Sequence, residues 1–421
     1  MTRSSYLSAA EAARELGVSL PTLYAYVSRG LIRSLPGAGP SRARRYSAED
    51  VRRLRERKAA RRDPERAAAT ALRWGAPVLE SALTLIADGR LYYRGQDATL
   101  LAVQHSFEEV VALLWTGDMA HALRAALRGP YRLPPRCRAV WEQVRDLQPA
   151  ERMAVALALA APDDLPAWDA RPVAQLQTAT RIMGLLLAAA LDELEAPLTP
   201  AQALAQRWAP TVPAAERLLT AALILCADHE LNVSSFTARC VASAGASLYG
   251  ALQAGLAALQ GVRHGGHTER VAALLREIGA PAQAPAVVAA RLRRGEAVPG
   301  FGHVLYPQGD PRAATLLQLI QQHLAESPAW ALSAALVAAV AEITGEQPTI
   351  DLALVTLAET LALPPGAPLA LFALGRAAGW LAHALEQATQ AALIRPRARY
   401  SGPLPDAPPA ETVVDKIDKP T

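Results

Sequence analysis

Lysine, cysteine and aromatic residues are scarce in this 421-residue chain. The only lysines are Lys58, Lys416 and Lys419, so nearly all positive charge is arginine. The three cysteines, Cys137, Cys226 and Cys240, are odd in number and lack paired spacing. They offer no disulfide framework and no zinc signature. Aromatics make up 5% of the chain, and the strand-favouring Val, Ile, Tyr and Phe are thin. Ala and Leu dominate the 51% that is hydrophobic, and both favour helix. The expectation is a mainly α-helical protein, long enough to bury a large core.

The opening stretch, MTRSSYLSAAEAARELG, has no apolar segment of the secretory kind, so a cytoplasmic location is expected. The longest uncharged run covers residues 240–262 and could span a bilayer by length. Its Ala, Gly and Ser content, with Gln253 and Gln260, predicts instead a helix packed closely through small residues. No membrane partner is expected. Charge is unevenly spread. Residues 1–66 carry 15 Arg/Lys against 7 Asp/Glu, a net +8, and the remainder is net −4. Only the basic head is suited to a polyanion.

Residues 8–16 read as a short amphipathic helix ended by Gly17. Ser19 is placed to cap a second helix with Pro21 in its first turn. A Gly/Pro/Arg-rich loop follows, and Ser47 opens a third helix. Two short helices around a tight turn are the helix-turn-helix pattern. ELGVSLPTLYAYVSRGLI and RRYSAEDVRRL resemble the MerR/excisionase type of winged DNA-binding domain. That resemblance implies that Thr22, Tyr24 and Tyr26 approach bases and that Arg42, Arg44 and Arg45 hold phosphates. A solvated Arg-rich surface that binds no DNA is the competing reading. The expected organisation is a head over 1–66, a linker over 67–76, a body over 77–403 and a loose tail over 404–421.

Three polar stretches interrupt the apolar helical body. They are CADHELNVSS with the later RHGGHTE, then VPGFGHVLYPQGDPRA, then QPTIDLALVTLAETL running on to RPRARYSG. Singly, each is compatible with a buried ion pair or a turn. Together they present Gly-flanked His264 and His303 on backbone a ligand can approach. Arg312, Arg376, Arg395 and Arg397 supply two-pronged partners for carboxylates. Asp351, in an apolar setting, should have a raised pKa.

In order and spacing, these segments are similar to the signature segments of citrate synthases, and LYYRGQDATLL and SFEEVVALLWTGD are similar to that family's early segment. The resemblance covers about 77–403. It implies a helical large domain and a smaller mobile one, here about 267–361, in a homodimer. It implies condensation of acetyl-CoA or propionyl-CoA with oxaloacetate, with CoA thioester as substrate and neither metal nor cofactor. Asp351 would be the base, His264 the neutral donor to the thioester oxygen, and His303 the group acting on the oxaloacetate carbonyl. His229, Arg312 and Arg376 would bind oxaloacetate, Arg395 would come from the neighbouring subunit, and Pro299, Gly300, Phe301 and Gly302 would lie against CoA.

The chain departs from the family's usual HGGAN. It reads Arg263-His264-Gly265-Gly266-His267-Thr268. Arg263 should disfavour protonation of His264, and Thr268 has fewer hydrogen-bonding groups than Asn. His264 and His267 stand at a spacing that can share a metal, but no third ligand is indicated. His383 reads as a packed helix residue. A different class of function is a transcription regulator, with the head on DNA and the synthase-like body sensing a metabolite.

Overall fold

A computed structural model describes residues 6–36, 44–48, 50–52, 54–55, 79–129, 131–196, 199–390, 392–398 and 400–402. The chain forms two compact units that divide between Ser81 and Ala82. Arg42, the 67–76 linker and the 404–421 tail lie outside the described residues.

In the first unit, helix α1 (Ala9–Leu16) starts at a reciprocal cap. The Ser8 backbone N–H donates to Glu11 (2.8 Å) and the Glu11 N–H donates to Ser8 Oγ (3.3 Å). Gly17, in the left-handed conformation, ends it. Helix α2 (Leu20–Ser28) carries Pro21 in its first turn. Ser19 precedes α2, but its hydroxyl pairs with Thr22 Oγ1 (2.9 Å) instead of capping a backbone N–H. Strands β1 (Tyr6–Leu7), β2 (Ser34–Pro36) and β3 (Arg44–Ser47) pair antiparallel in the order β1-β3-β2. Residues 48, 50–52 and 54–55 are helical, and Ser47 Oγ accepts the Asp50 N–H. Ala12, Leu16, Leu23, Ile32, Tyr46 and Val51 form the core.

The second unit opens with a three-stranded antiparallel meander, β4 (Thr84–Ala87), β5 (Arg90–Tyr93) and β6 (Gln96–Asp97). Helices follow: α3 (Ala98–Gln104), α4 (Phe107–Thr116), α5 (Pro149–Ala160), α6 (Pro172–Leu191) and α7 (Ala215–Cys226). Next come α8 (Val233–Ser243), α9 (Leu248–Leu259), α10 (His267–Ile278) and α11 (Ala284–Arg293). The last four are α12 (Pro311–Leu324), α13 (Pro328–Thr344), α14 (Ile350–Thr360) and α15 (Ala367–Ala388). The protein is mainly helical, as its composition requires.

The uncharged run at 240–262 is not one helix. It holds the end of α8, a turn with Gly245 at φ +81°, and α9, which Ser247 caps by accepting the Gly250 N–H. Glycine in the left-handed region ends one helix, and a serine oxygen starts the next. Among the described residues, one helix, α15, is long and apolar enough to cross a membrane, and 83% of its most apolar stretch is buried within the protein. It is a central core helix.

Two apolar cores divide the second unit. The larger draws on α3–α9, α12 and α15. The smaller is built from Val271, Leu274, Val288, Leu336, Val340, Leu352 and Val355, on α10, α11, α13 and α14, with Val298 from the loop after α11. Helix α14 serves both: Leu352 and Val355 enter the smaller core, while Ile350, Ala353 and Leu357 enter the larger. The buried face of α12 joins the larger core, so the 267–361 interval contributes to both.

Candidate active site

The site forms where helix ends and loops meet between the two cores. Residues 226–232 leave α7 and enter α8. Asn232 caps α8, its Oδ1 accepting the N–H groups of Ser234 and Ser235 (both 3.1 Å). This turn holds His229, whose Nε2 lies 3.0 Å from the Tyr306 hydroxyl. The ring stands edge-on to His303, with centroids 5.4 Å apart. Tyr306 also faces His303 (5.0 Å) and the Arg312 guanidinium (5.7 Å).

His264 sits in the turn between α9 and α10. The turn is tight because a Cβ on Gly266 would meet the Gln260 carbonyl oxygen, and the Thr268 hydroxyl donates to the Gly265 carbonyl (2.8 Å). Thr268 is therefore buried and bonded, a use its loss of amide groups does not prevent. His264 Nε2 lies 2.8 Å from Ser234 Oγ and 3.2 Å from Asn232 Oδ1. The Ser234 hydroxyl has one proton and two acceptors in reach, Asn232 Oδ1 (2.7 Å) and His264 Nε2. Donation to His264 leaves the ring proton on Nδ1, whereas donation to Asn232 goes with the proton on Nε2, facing Asn232 Oδ1.

His303 has its tautomer set by the backbone. Its Nδ1 accepts the Leu305 N–H (3.2 Å), so in the neutral ring Nε2 carries the proton. All three histidines are held neutral. Burial, then the charges of Arg376 and Arg312, lower His264 to about 3. Burial and Arg312 lower His303 to about 4, and burial leads the same causes at His229. The expectation that Arg263 does this is corrected. Arg263 is exposed, and the cations that act on His264 are Arg376 and Arg312.

Arg312 lies at the start of α12 and is 2% exposed; its Nε and Nη2 bond the two oxygens of Asp310 (2.9 and 2.8 Å). Asp310 Oδ2 also accepts the Ile350 N–H (3.1 Å), which ties Arg312 to the first turn of α14. Arg376, on α15, is 1% exposed. Its Nε donates to the Cys226 carbonyl (2.7 Å), its guanidinium faces Phe372 (5.0 Å), and His264 meets the same ring edge-on (5.8 Å).

Asp351 is the second residue of α14. Oδ2 accepts from Thr349 Oγ1 (3.2 Å), whereas Oδ1 is buried without a partner. Burial raises its pKa against the opposing pull of His267, Arg312 and Thr349. Arg376 Nη2 is likewise buried without a partner. An unpaired buried polar atom is costly, so both are retained for something other than stability.

The sequence-derived residues His229, His264, His303, Arg312, Arg376 and Asp351 are thus joined by contacts and fields. Pro299, Gly300, Phe301 and Gly302 form a loop that pairs with residues 347–349: Thr349 N–H donates to Gly300 O (2.8 Å) and Gly302 N–H to Gln347 O (3.0 Å). Arg395 and Arg397 are exposed on the segment after α15. Sequence reasoning missed Asn232, Ser234, Asp310 and Tyr306. All four lie inside the same polar stretches, but nothing in their spacing shows whom they touch. His383 is fully buried, with Nε2 3.3 Å from Asp228 and Nδ1 facing Arg239 (3.2 Å). No group of three or more His, Cys, Asp or Glu among the described residues is placed to hold a metal ion. His264 and His267 turn their Nε2 atoms to Ser234 and to Gly300 respectively.

In the head, Tyr24 is 50% exposed, and Arg44 and Arg45 are exposed on β3. Tyr26 packs against the apolar core of that unit, and Thr22 is held by Ser19.

Fold and site together define a helical protein with a cluster of histidines, buried arginines and a carboxylate whose chemistry suits binding carboxylates and moving protons. The pattern described as "Citrate synthase, C-terminal domain" matches residues 70–397, and one described as "Helix-turn-helix domain" matches 6–59. Citrate synthase 2 of Bacillus subtilis is 30% identical over 352 residues, 78% of this chain and 95% of that one. A 2-methylcitrate synthase of Mycobacterium tuberculosis is 30% identical over 334 residues, 74% of this chain and 84% of its own. Among solved structures, a ternary complex of Thermoplasma acidophilum citrate synthase with carboxymethyl coenzyme A and oxaloacetate is similar at TM-score 0.69. It shares 25% identity, covering 80% of this chain and 97% of that one. Citrate synthase from Thermotoga maritima is similar at TM-score 0.67 and 27% identity, covering 79% and 96%. The chain belongs to the citrate synthase family, with a helix-turn-helix domain in front.

Proposed function

We propose that the body condenses acetyl-CoA or propionyl-CoA with oxaloacetate in the cytoplasm, giving citrate or 2-methylcitrate and free CoA. One observation carries this reading most directly. A buried carboxylate with an unpaired oxygen, Asp351, and a buried guanidinium with an unpaired nitrogen, Arg376, belong to one cluster with three neutral histidines.

The roles follow from the chemistry. A hydrogen beside a thioester carbonyl is a weak acid, so its removal requires a base and a donor for the developing enolate oxygen. Asp351, with its raised pKa, takes the proton from the α-carbon. Neutral His264 donates from Nδ1 to the thioester oxygen, while Ser234 satisfies Nε2. The enolate carbon then bonds to the oxaloacetate carbonyl carbon. His303 polarises that carbonyl through Nε2–H and supplies the proton that ends on its oxygen. His229, Arg312 and Arg376 hold the oxaloacetate carboxylates. Water then cleaves the thioester, releasing CoA. Pro299, Gly300, Phe301 and Gly302 lie against the CoA. Arg395 enters the site of a second copy, so the working unit is a homodimer. The reading requires no resident metal or cofactor.

The test is oxaloacetate-dependent release of CoA thiol, measured with acetyl-CoA and propionyl-CoA against an Asp351→Ala control. Turnover should fall by about 10²–10⁴ in the variant, the usual worth of a positioned base. Equal rates in wild type and variant would overturn the assignment. The ratio of kcat/KM for the two thioesters decides which is preferred; one methyl is worth about 1–3 kcal/mol.

The head supports a second, separate proposal, that it binds duplex DNA through Tyr24 and Thr22 on α2 and through Arg42, Arg44 and Arg45. Exposure of Tyr24, Arg44 and Arg45 on a net-positive unit favours it.

A further inference from the structure

His267 occupies the position where the citrate synthase pattern reads alanine, and the reading above leaves it without a role. It is the first residue of α10, three residues after His264. Its Nε2 accepts the backbone N–H of Gly300 (3.1 Å). A backbone N–H can only donate, so Nε2 is unprotonated and the neutral ring carries its proton on Nδ1.

Gly300 is held from two sides. Its N–H is taken by His267 and its carbonyl accepts the Thr349 N–H (2.8 Å). Thr349 in turn donates its hydroxyl to Asp351 (3.2 Å). The residue is also wedged between helices. At φ +90° it has the left-handed backbone, and an added Cβ would lie 3.1 Å from Val271 on α10 and 3.2 Å from Leu352 on α14. Val271 stands one turn beyond His267, and Leu352 directly follows Asp351. One imidazole therefore fastens the 299–302 loop to α10, and the chain His267–Gly300–Thr349–Asp351 runs from that loop to the carboxylate.

We infer that His267 is a positioning residue, a clasp that fixes the Pro299–Gly302 loop and, through Gly300 and Thr349, the carboxylate of Asp351. The inference rests on the synthase reading for its catalytic consequence. The clasp itself is a property of the backbone and can be measured apart from turnover.

The experiment compares wild type with His267→Ala and His267→Gln in the full-length protein. Glutamine can place an amide oxygen where Nε2 stands and accept the same N–H. Thermal melts establish that each variant is folded. Steady-state kinetics with acetyl-CoA, propionyl-CoA and oxaloacetate give kcat and both KM values, and hydrogen–deuterium exchange reports on the peptide containing Gly300.

His267→Ala should lower kcat/KM for the thioester about tenfold, the loss of roughly one hydrogen bond, with KM for oxaloacetate within about twofold. Exchange at Gly300 should speed up by a similar factor. His267→Gln should recover most of both. Wild-type kinetics and unchanged exchange in His267→Ala would overturn the clasp. So would a defect in His267→Ala that glutamine does not repair, because the ring and not its acceptor nitrogen would then matter. If wild type shows no turnover, the synthase reading and the catalytic consequence fall together. The exchange data still decide whether His267 holds Gly300. Should His267→Ala not fold, the inference rests on His267→Gln, which must keep slow exchange at Gly300 and near-wild-type kcat/KM.

Discussion

The three site histidines are deprived of their charge by position. Each keeps a neutral ring because burial opposes a further positive charge, together with Arg312 and Arg376 at His264 and His229 and with Arg312 at His303. The sign of the resulting pH dependence is fixed. A histidine whose folded pKa lies below its unfolded value of 6.5 stabilises the fold relative to acid only above that value. As pH falls below 6.5 the unfolded chain binds a proton that the folded one refuses, until the folded pKa is reached. For His264 the window runs from 6.5 to about 3. Asp351 acts in the opposite sense, because its raised pKa means that protonation relieves the folded state. His264→Gln should therefore flatten the fall in unfolding free energy between pH 6.5 and 4, by at most about 3 kcal/mol. Urea melts across that range check it, and an unchanged slope would remove His264 as a cause of acid sensitivity.

Among the elements, α14 and the 299–302 loop decide the geometry. Helix α14 places Leu352 and Val355 in one core and Ala353 and Leu357 in the other, with Asp351 in its first turn. A shift of this helix moves the carboxylate relative to both Arg312, tied through Asp310 to Ile350, and the loop, tied through Thr349. Gly300→Ala tests the loop. The left-handed backbone and the approach of Val271 and Leu352 predict a loss of about 1–3 kcal/mol in stability, with KM for the thioester rising more than KM for oxaloacetate. Denaturant melts and paired KM measurements decide. A stable variant with normal KM values would show that the loop tolerates another backbone conformation. The helices themselves were readable in the sequence. Gly17 and Pro21, which mark the end of one head helix and the start of the next, act within a few residues. The run at 240–262 misled because hydropathy does not register a local break made by one glycine and one serine.

At the scale of the whole molecule, Arg395 lies exposed on the segment after α15. On the proposal that it serves a second copy, neither Asp351→Ala nor Arg395→Ala should be active alone. Refolded together in equal amounts, they should regain about a quarter of wild-type activity, because half the dimers are mixed and each has one intact site. Recovery no greater than the sum of the separate variants would argue against a shared site. The head carries its own prediction. Binding to duplex DNA should weaken steeply with salt, and Arg44→Ala with Arg45→Ala should reduce the salt slope by about 2, near one unit per phosphate contact. Mobility shifts at several salt concentrations check this, and an unchanged slope would leave those arginines without a phosphate role.

Composition and order alone determined a helical fold and a basic head on a mildly acidic body, and the resemblance of the polar stretches to citrate synthases singled out His229, His264, His303, Arg312, Arg376 and Asp351 as candidates. Such features are local or additive: helix propensity, capping and charge sum along the chain. The tertiary structure decided which cation silences His264, which nitrogen of His303 carries the proton, and that His267 grips Gly300. The first and last depend on distances between residues tens or more than a hundred positions apart, and the His303 tautomer depends on the exact turn that brings the Leu305 N–H to its ring. Burial strengthens each such contact by removing the water that would otherwise screen it.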